Sequence, residues 1–379
     1  MTGLASGKLS DAFGDFIVYR NLIPVDDRLP TIRDLRSKAG LVEGQLPRKA
    51  EPAYASVVGE ILCQARRLSG LTSDGTRLLY VGDTMHNDVC AFSNLCQAMG
   101  WEGSAFIADE DASTCRQVHP LADRQRLTVS SQWGDIAAFA EEASVKGLGC
   151  DEGTVVVVDI DKTLLGARGR NDHAIDRARL KAAYEVAHEI AGTALADEAA
   201  FAQIYGVVNS SAFHPLTEDN QDAIAYVSLL VACGTVDLDQ LTASVSARQI
   251  EGFRAFVANS IETRRSHLSR GLSALQKSIH KQLQAGNPTP FTLFRQAEYR
   301  CTTGLMGYLP DTTSREEMLD QEIVITEEVW MAIKRWRSQG CIIFGLSDKP
   351  DEACFPSDAA NADALPLHLT QTHIIGSRR

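Results

Sequence analysis

The chain has no run of about 18 apolar residues, which excludes an ordinary membrane-spanning helix. Its opening, Met1 to Lys8, has no apolar stretch of the secretory type, so a secretory signal is not expected. Positive charge is in deficit: 37 Lys and Arg stand against 49 Asp and Glu, a net charge of −12. That balance argues against a broad nucleic-acid footprint, which needs clustered cations. It leaves room for a local basic pocket serving an anionic substrate. The nine cysteines are odd in number, scattered, and form no C-x-x-C, so zinc-ribbon and thioredoxin-type readings fail. Cys341 and others sit in apolar runs as small core residues, and a reducing cytoplasm is the expected compartment. No histidines pair as H-x-H or H-x-x-x-H, which removes a zinc site. Internal repeats and low-complexity tracts are absent as well.

What remains is ordinary globular material, 44% apolar and 23% charged over 379 residues. At about 150 residues per domain that length predicts two to three domains. Residues 1–142 mix helical stretches with short apolar runs, and residues 143–153 are polar and Gly-containing and read as a connector. Residues 154–165 hold an apolar strand and its polar end. Residues 166–322 keep apolar residues at helical spacing almost throughout, including a predicted helix from Arg265 to Leu283 stopped by Gly286-Asn287-Pro288. Residues 323–379 are mixed again. The expectation is an α/β core in two sequence pieces with an all-helical insertion.

Three apolar runs share one shape. Thr154-Val155-Val156-Val157-Val158 ends in Asp159-Ile160-Asp161-Lys162-Thr163; Leu78-Leu79-Tyr80-Val81 ends in Gly82-Asp83, with Asp88 five residues on; Cys341 to Leu346 ends in Ser347, with Lys349 two on. Wholly apolar, β-branched runs suit strands buried on both faces of a parallel sheet. Ligands of open α/β sheets bind outside the carboxyl ends of the strands. Two carboxylates at i and i+2 on a strand end can divide the work, one attacking and one moving a proton. Asp83 and Asp88 add hard oxygen ligands of the kind Mg²⁺ takes, and a hydroxyl and a lysine suit phosphate oxygens.

These motifs resemble the haloacid dehalogenase (HAD) superfamily. Its phosphatases carry an apolar strand ending in D-x-D-x-T, a strand ending in Ser or Thr, a lysine before a Pro-containing helix, and a strand ending in G-D-x-x-x-x-D. Here the counterparts are Asp159 to Thr163, Ser347, Lys49 in Pro47-Arg48-Lys49-Ala50-Glu51-Pro52, and Gly82-Asp83 with Asp88. The order departs from the family: third, fourth, first, second, which is a circular permutation, physically tolerable where chain ends lie close together on a surface. The resemblance implies a Rossmann-like parallel-sheet core, circularly permuted, with a large all-α cap over roughly residues 166–322. It implies Asp159 as nucleophile, Asp161 as general acid and base, and Ser347 and Lys49 as holders of phosphoryl oxygens. Mg²⁺ is expected on Asp159, Asp161 (through its carbonyl), Asp83 and Asp88, with Asp88 orienting Lys49 or a metal water. The implied activity is hydrolysis of a small phosphomonoester through an aspartyl-phosphate, with no nucleic-acid or membrane partner. A phosphotransferase or mutase of the same superfamily, or a non-catalytic binding module, uses the same fold.

Other residues are weaker. Thr163, Arg168, Arg170 and Lys349 are candidate substrate contacts. Lys349 competes with Lys49 as phosphate lysine, and also reads as a surface residue at a helix start. Lys162 stands where many relatives have Gly. His86 reads as a loop histidine rather than a ligand. Phe294 to Arg300, a polar-aromatic helical patch, reads as a surface helix face, with lining of the substrate cavity as the alternative, and Leu268, Leu272 and Leu275 read as core of the insertion.

Overall fold

The run Thr154–Val158 is flat, apolar and β-branched, and it forms the middle of a sheet. The structure, a computed structural model, describes residues 5–71, 77–110, 116–122, 124–145, 148–250, 252–264, 269–357 and 363–377. Its strands are β1 (Ser6–Gly7), β2 (Ile17–Val18), β3 (Arg77–Gly82), β4 (Glu102–Ala108), β5 (Gln117–Ala122), β6 (Gln125–Ser130), β7 (Thr154–Asp159), β8 (Ile325–Thr326), β9 (Ile342–Leu346) and β10 (Thr372–Ile375). Seven of them make one sheet in the order β2-β9-β7-β3-β4-β6-β5. All neighbours are parallel except β5, which runs antiparallel to β6 along the exposed edge. Pro120 and a register shift beside it sit in β5, as expected where a strand has no outer partner. Tyr80 lies opposite Val157, so the runs ending at Gly82 and Asp159 are parallel members of one sheet, as the sequence predicted, and are direct neighbours in it. A second small sheet joins β1, β10 and β8.

The period of two along β7 splits its side chains between two layers. Val155 and Val157 join Leu78, Tyr80 and Phe344 against the Pro52–Leu68 and Asn87–Met99 helices. Val156 and Val158 join Leu79, Val81 and Phe106 against the Ile136–Val145 and Glu327–Ser338 helices. This is the two-sided cover that a parallel sheet requires.

Between β7 and β8 every described element is a helix, from Asp172–Ala191 to Arg315–Gln321. The helix Arg270–Gln284 stops where Gly286 takes φ +80°. Its described start is Arg270, with Ser269 Oγ accepting from the Leu272 amide. The predicted first turn, residues 265–268 with Leu268, lies outside the described residues. Leu272 and Leu275 are buried, as predicted for core. No described helix is long and apolar enough to cross a membrane.

Phe106 is fully buried, with Trp133 and Phe139 rings at 6.2 and 5.7 Å. Phe106→Ala is expected to cost about 3–5 kcal/mol through lost burial and a residual cavity. Urea unfolding should show a lower midpoint at unchanged slope.

Candidate active site

Because β2, β9, β7 and β3 are parallel neighbours, their carboxyl ends open on the same edge of the sheet. The chain leaves β3 toward β4 and leaves β7 toward β9, in opposite directions along the sheet. Between such strands a crevice forms, the usual ligand position in open α/β sheets. The residues set there are Asp83, Asp159 and Asp161, Asp348 and Lys349, and Arg20.

The local sequence explains the crowding. A Cβ on Gly82 would come within 2.5 Å of Asp88 Cγ, so only glycine lets β3 close against that carboxylate. Asp88 lies in the first turn of the Asn87–Met99 helix. Its Oδ2 accepts from Thr84 Oγ1 (2.6 Å), the Thr84 amide (2.9 Å) and the Asp83 amide (3.1 Å), and its Oδ1 accepts from Tyr80 Oη (2.8 Å). Lys49, ahead of the Pro52–Leu68 helix, inserts Nζ 2.5 Å from Asp88 Oδ1 and 2.6 Å from Asp159 Oδ1. All three residues are buried.

Burial pulls each of these groups toward its neutral form. It raises Asp159 well above the carboxylate range, with Lys49 opposing and Asp88 and Asp83 adding repulsion. Burial and the Asp88 charge push Asp83 up to about 7, against Arg168. Burial acts the same way on Asp88, but Lys49 and the donated hydrogen bonds outweigh it, and Asp88 ends below the usual range. Lys49 loses hydration yet is raised by the Asp159 and Asp88 charges, so it stays an ammonium. Asp83, Asp88 and Asp159 present oxygens within 4.8 Å of one another and form the candidate metal group.

Asp161 stands apart from that group. Its Oδ2 accepts from Arg179 at 2.5 Å, and its Oδ1 lies 3.7 Å from Lys349 Nζ. Burial would raise its pKa, but Arg179 and Lys349 outweigh that and lower it. Behind it lies a buried chain of charges from the insertion. Glu298 accepts from Lys349 Nζ (2.6 Å), Arg295 (2.7 Å) and Arg179 (3.2 Å), and Arg295 also pairs with Asp222. These cations outweigh the burial of Glu298 and hold it far below its ordinary pKa. Core and insertion residues together line a cavity of about 430 Å³. At its mouth Arg48 pairs with Glu218 of the insertion.

The sequence candidates divide accordingly. Asp159, Lys49, Asp83 and Asp88 converge. Arg168 lines the cavity and donates to Asp83 at 2.6 Å. Lys349 lines it too; at 5% exposure it is no surface residue. Ser347 is buried, with Oγ accepting from the Lys349 amide, and does not line the cavity. Thr163 is fully buried beneath the site, its carbonyl accepting from Thr326. Arg170 turns away: it forks onto Glu328 and reaches Ser377, which corrects its reading as a substrate contact. Lys162 adopts φ +62°, the left-handed conformation that favours glycine, and its Nζ is 2.8 Å from Asp176. His86 is exposed, just ahead of the Asn87–Met99 helix. The surface reading of Phe294 to Arg300 is overturned over most of its length: Phe294, Arg295, Ala297, Glu298 and Tyr299 are buried, and Arg295 reaches the cavity. Arg20, Arg179 and Asp222 had no sequence signal as site residues; each gains its meaning from partners distant in the chain.

No protein-family model, curated protein or solved structure matches the chain.

Two outcomes are expected of the ion pairs. Glu298→Gln leaves three buried cations short of their shared carboxylate and should lower stability by about 3–5 kcal/mol in urea titrations. Glu328 is partly buried, and Arg170 and Ser377 overcome that burial and depress its pKa to about 2. Its contribution is therefore present above the unfolded value near 4.5 and fades as pH falls toward 2. Glu328→Gln should cost about 1–2 kcal/mol at pH 7 after discounting for solvent screening. Unfolding curves taken at stepwise lower pH should show wild type and variant converging.

Proposed function

We propose that the cavity is a magnesium-dependent phosphotransfer site of the haloacid dehalogenase type, that it hydrolyses a small phosphorylated metabolite, and that the chain is a circularly permuted member of that superfamily. The observation that carries this reading is the meeting of Lys49 with Asp159, 110 residues apart in sequence, beside Asp83 and Asp88. The permutation is supported by β3, β7 and β9, which carry the motifs side by side although other elements separate them along the chain. The helical insertion supplies the cap. Free thiols at the described cysteines fit work in a reducing compartment.

Asp83, Asp88 and Asp159 offer an all-oxygen donor set, which suits Mg²⁺. Bound there, the ion would hold Asp159 in the ionised form that its burial opposes, and would offset the repulsion between that nucleophile and an anionic phosphate.

In the first step Asp159 attacks phosphorus, an Asp159 oxygen–phosphorus bond forms, and the bond to the leaving oxygen breaks. Lys49 already touches Asp159, so it can follow the charge onto the phosphoryl oxygens without reorganising. The leaving oxygen takes a proton from Asp161. Asp161 is held ionised by Arg179 and Lys349, so it takes that proton up from solvent as substrate anions enter and draw Arg179 off. In the second step ionised Asp161 takes a proton from water, whose oxygen attacks phosphorus and frees Asp159. Here the Arg179 pair favours the base form.

The test is hydrolysis of 4-nitrophenyl phosphate with Mg²⁺, with a chelator, and with Asp159→Asn and Asp161→Asn. Release should require the metal. Asp159→Asn should abolish it, and Asp161→Asn should reduce it by about 10²–10⁴-fold. Wild-type turnover in Asp159→Asn would sink the nucleophile assignment.

A further inference from the structure

Eight cationic side chains line the cavity, and seven of them stand in the ion pairs described above or, for Lys162, with Asp176. Arg20 is the exception. It is buried at 7% exposure, its side chain donates to the Pro47 carbonyl at 2.7 Å, and among the described residues no carboxylate lies within ion-pair distance of it. Two acidic residues of the lining, Asp219 and Asp348, also lack an ion pair among the described residues, but both are exposed and hydrated. A solvated carboxylate needs no partner. Asp348 and Glu51 attract the Arg20 guanidinium from beyond ion-pair distance but do not offset its burial, and a buried guanidinium left short of a close counter-charge is costly.

Its position says which anion it serves. Arg20 follows β2, and β9 lies between β2 and β7. At about 4.8 Å per strand, β2 is roughly 10 Å from the strand that carries Asp159. The oxygens at Asp159 already have Lys49. We propose that Arg20 is the receptor for a second anionic group of the substrate, so that the cavity selects phosphomonoesters bearing a further carboxylate or phosphate at the far end. This deepens the phosphotransfer reading and rests on it for the first anion. A planar guanidinium fits both oxyanions in fork geometry.

The experiment uses calorimetric binding, not turnover. The probes are methylphosphonate, with one anionic group, phosphonoacetate, with an added carboxylate, and methylenediphosphonate, with a second phosphonate. Wild-type protein with Mg²⁺ should bind at least one two-anion probe tenfold or more tighter than methylphosphonate, and which one tells carboxylate from phosphate. Arg20→Gln should collapse that ratio by about ten- to a hundredfold, and Arg20→Lys should restore part of it. The ratio is unaffected by a loss of folded protein, since all probes then weaken alike. A ratio that persists in Arg20→Gln, or a wild type that binds no probe or favours neither two-anion probe, overturns the proposal. Turnover of 4-nitrophenyl phosphate with an unchanged ratio would remove the subsite and keep the phosphatase. An Arg20-dependent ratio without turnover would do the reverse.

Discussion

Lys49 Nζ stands 2.5 Å from Asp88 and 2.6 Å from Asp159, and all three side chains are buried. Neither carboxylate is tolerable there alone, because an isolated buried charge either loses several kcal/mol or neutralises itself. With the ammonium between them, Asp88 stays ionised and aligned by Thr84 and Tyr80, and Asp159 is presented at its strand end. The glycine at position 82 is part of the same constraint, since any side chain there would displace Asp88. Asp83 pays for the crowding in proton affinity, which the Arg168 guanidinium only partly offsets.

The parts of this arrangement visible in sequence were those written locally. Four valines followed by Asp-x-Asp, an apolar run followed by Gly-Asp, and a lysine ahead of a proline-started helix each signal a strand end or helix start from neighbouring residues alone. They located the central strands and four converging side chains. Arg20 escaped because a single arginine after a two-residue strand makes no motif. Glu298 and Arg295 escaped because charges three apart on a helix look like a solvated face. Their burial is possible only through Arg179, 119 residues before Glu298, and Lys349, 51 residues after it. The edge hairpin of β5 and β6 was hidden for another reason: β5 is exposed along its length and carries a proline.

The charges where insertion and sheet meet are balanced among themselves: half-buried Asp161 and buried Glu298 and Asp222 face half-buried Arg179 and buried Arg295 and Lys349. Such networks add little net stability compared with apolar packing, but they penalise every arrangement that leaves one member unpaired. Here the members come from the strand ends and from three helices of the insertion.

One helix, Asp172–Ala191, carries both Asp176 and Arg179, and through them it grips both Lys162 and Asp161. Lys162 holds a backbone conformation that costs an L-residue roughly 1 kcal/mol, so the turn is kept in shape partly from above. Docking of that helix and the acidity of Asp161 are thus one thermodynamic variable. Whatever lifts the helix raises the proton affinity of Asp161, and by reciprocity every proton taken up by Asp161 loosens the helix.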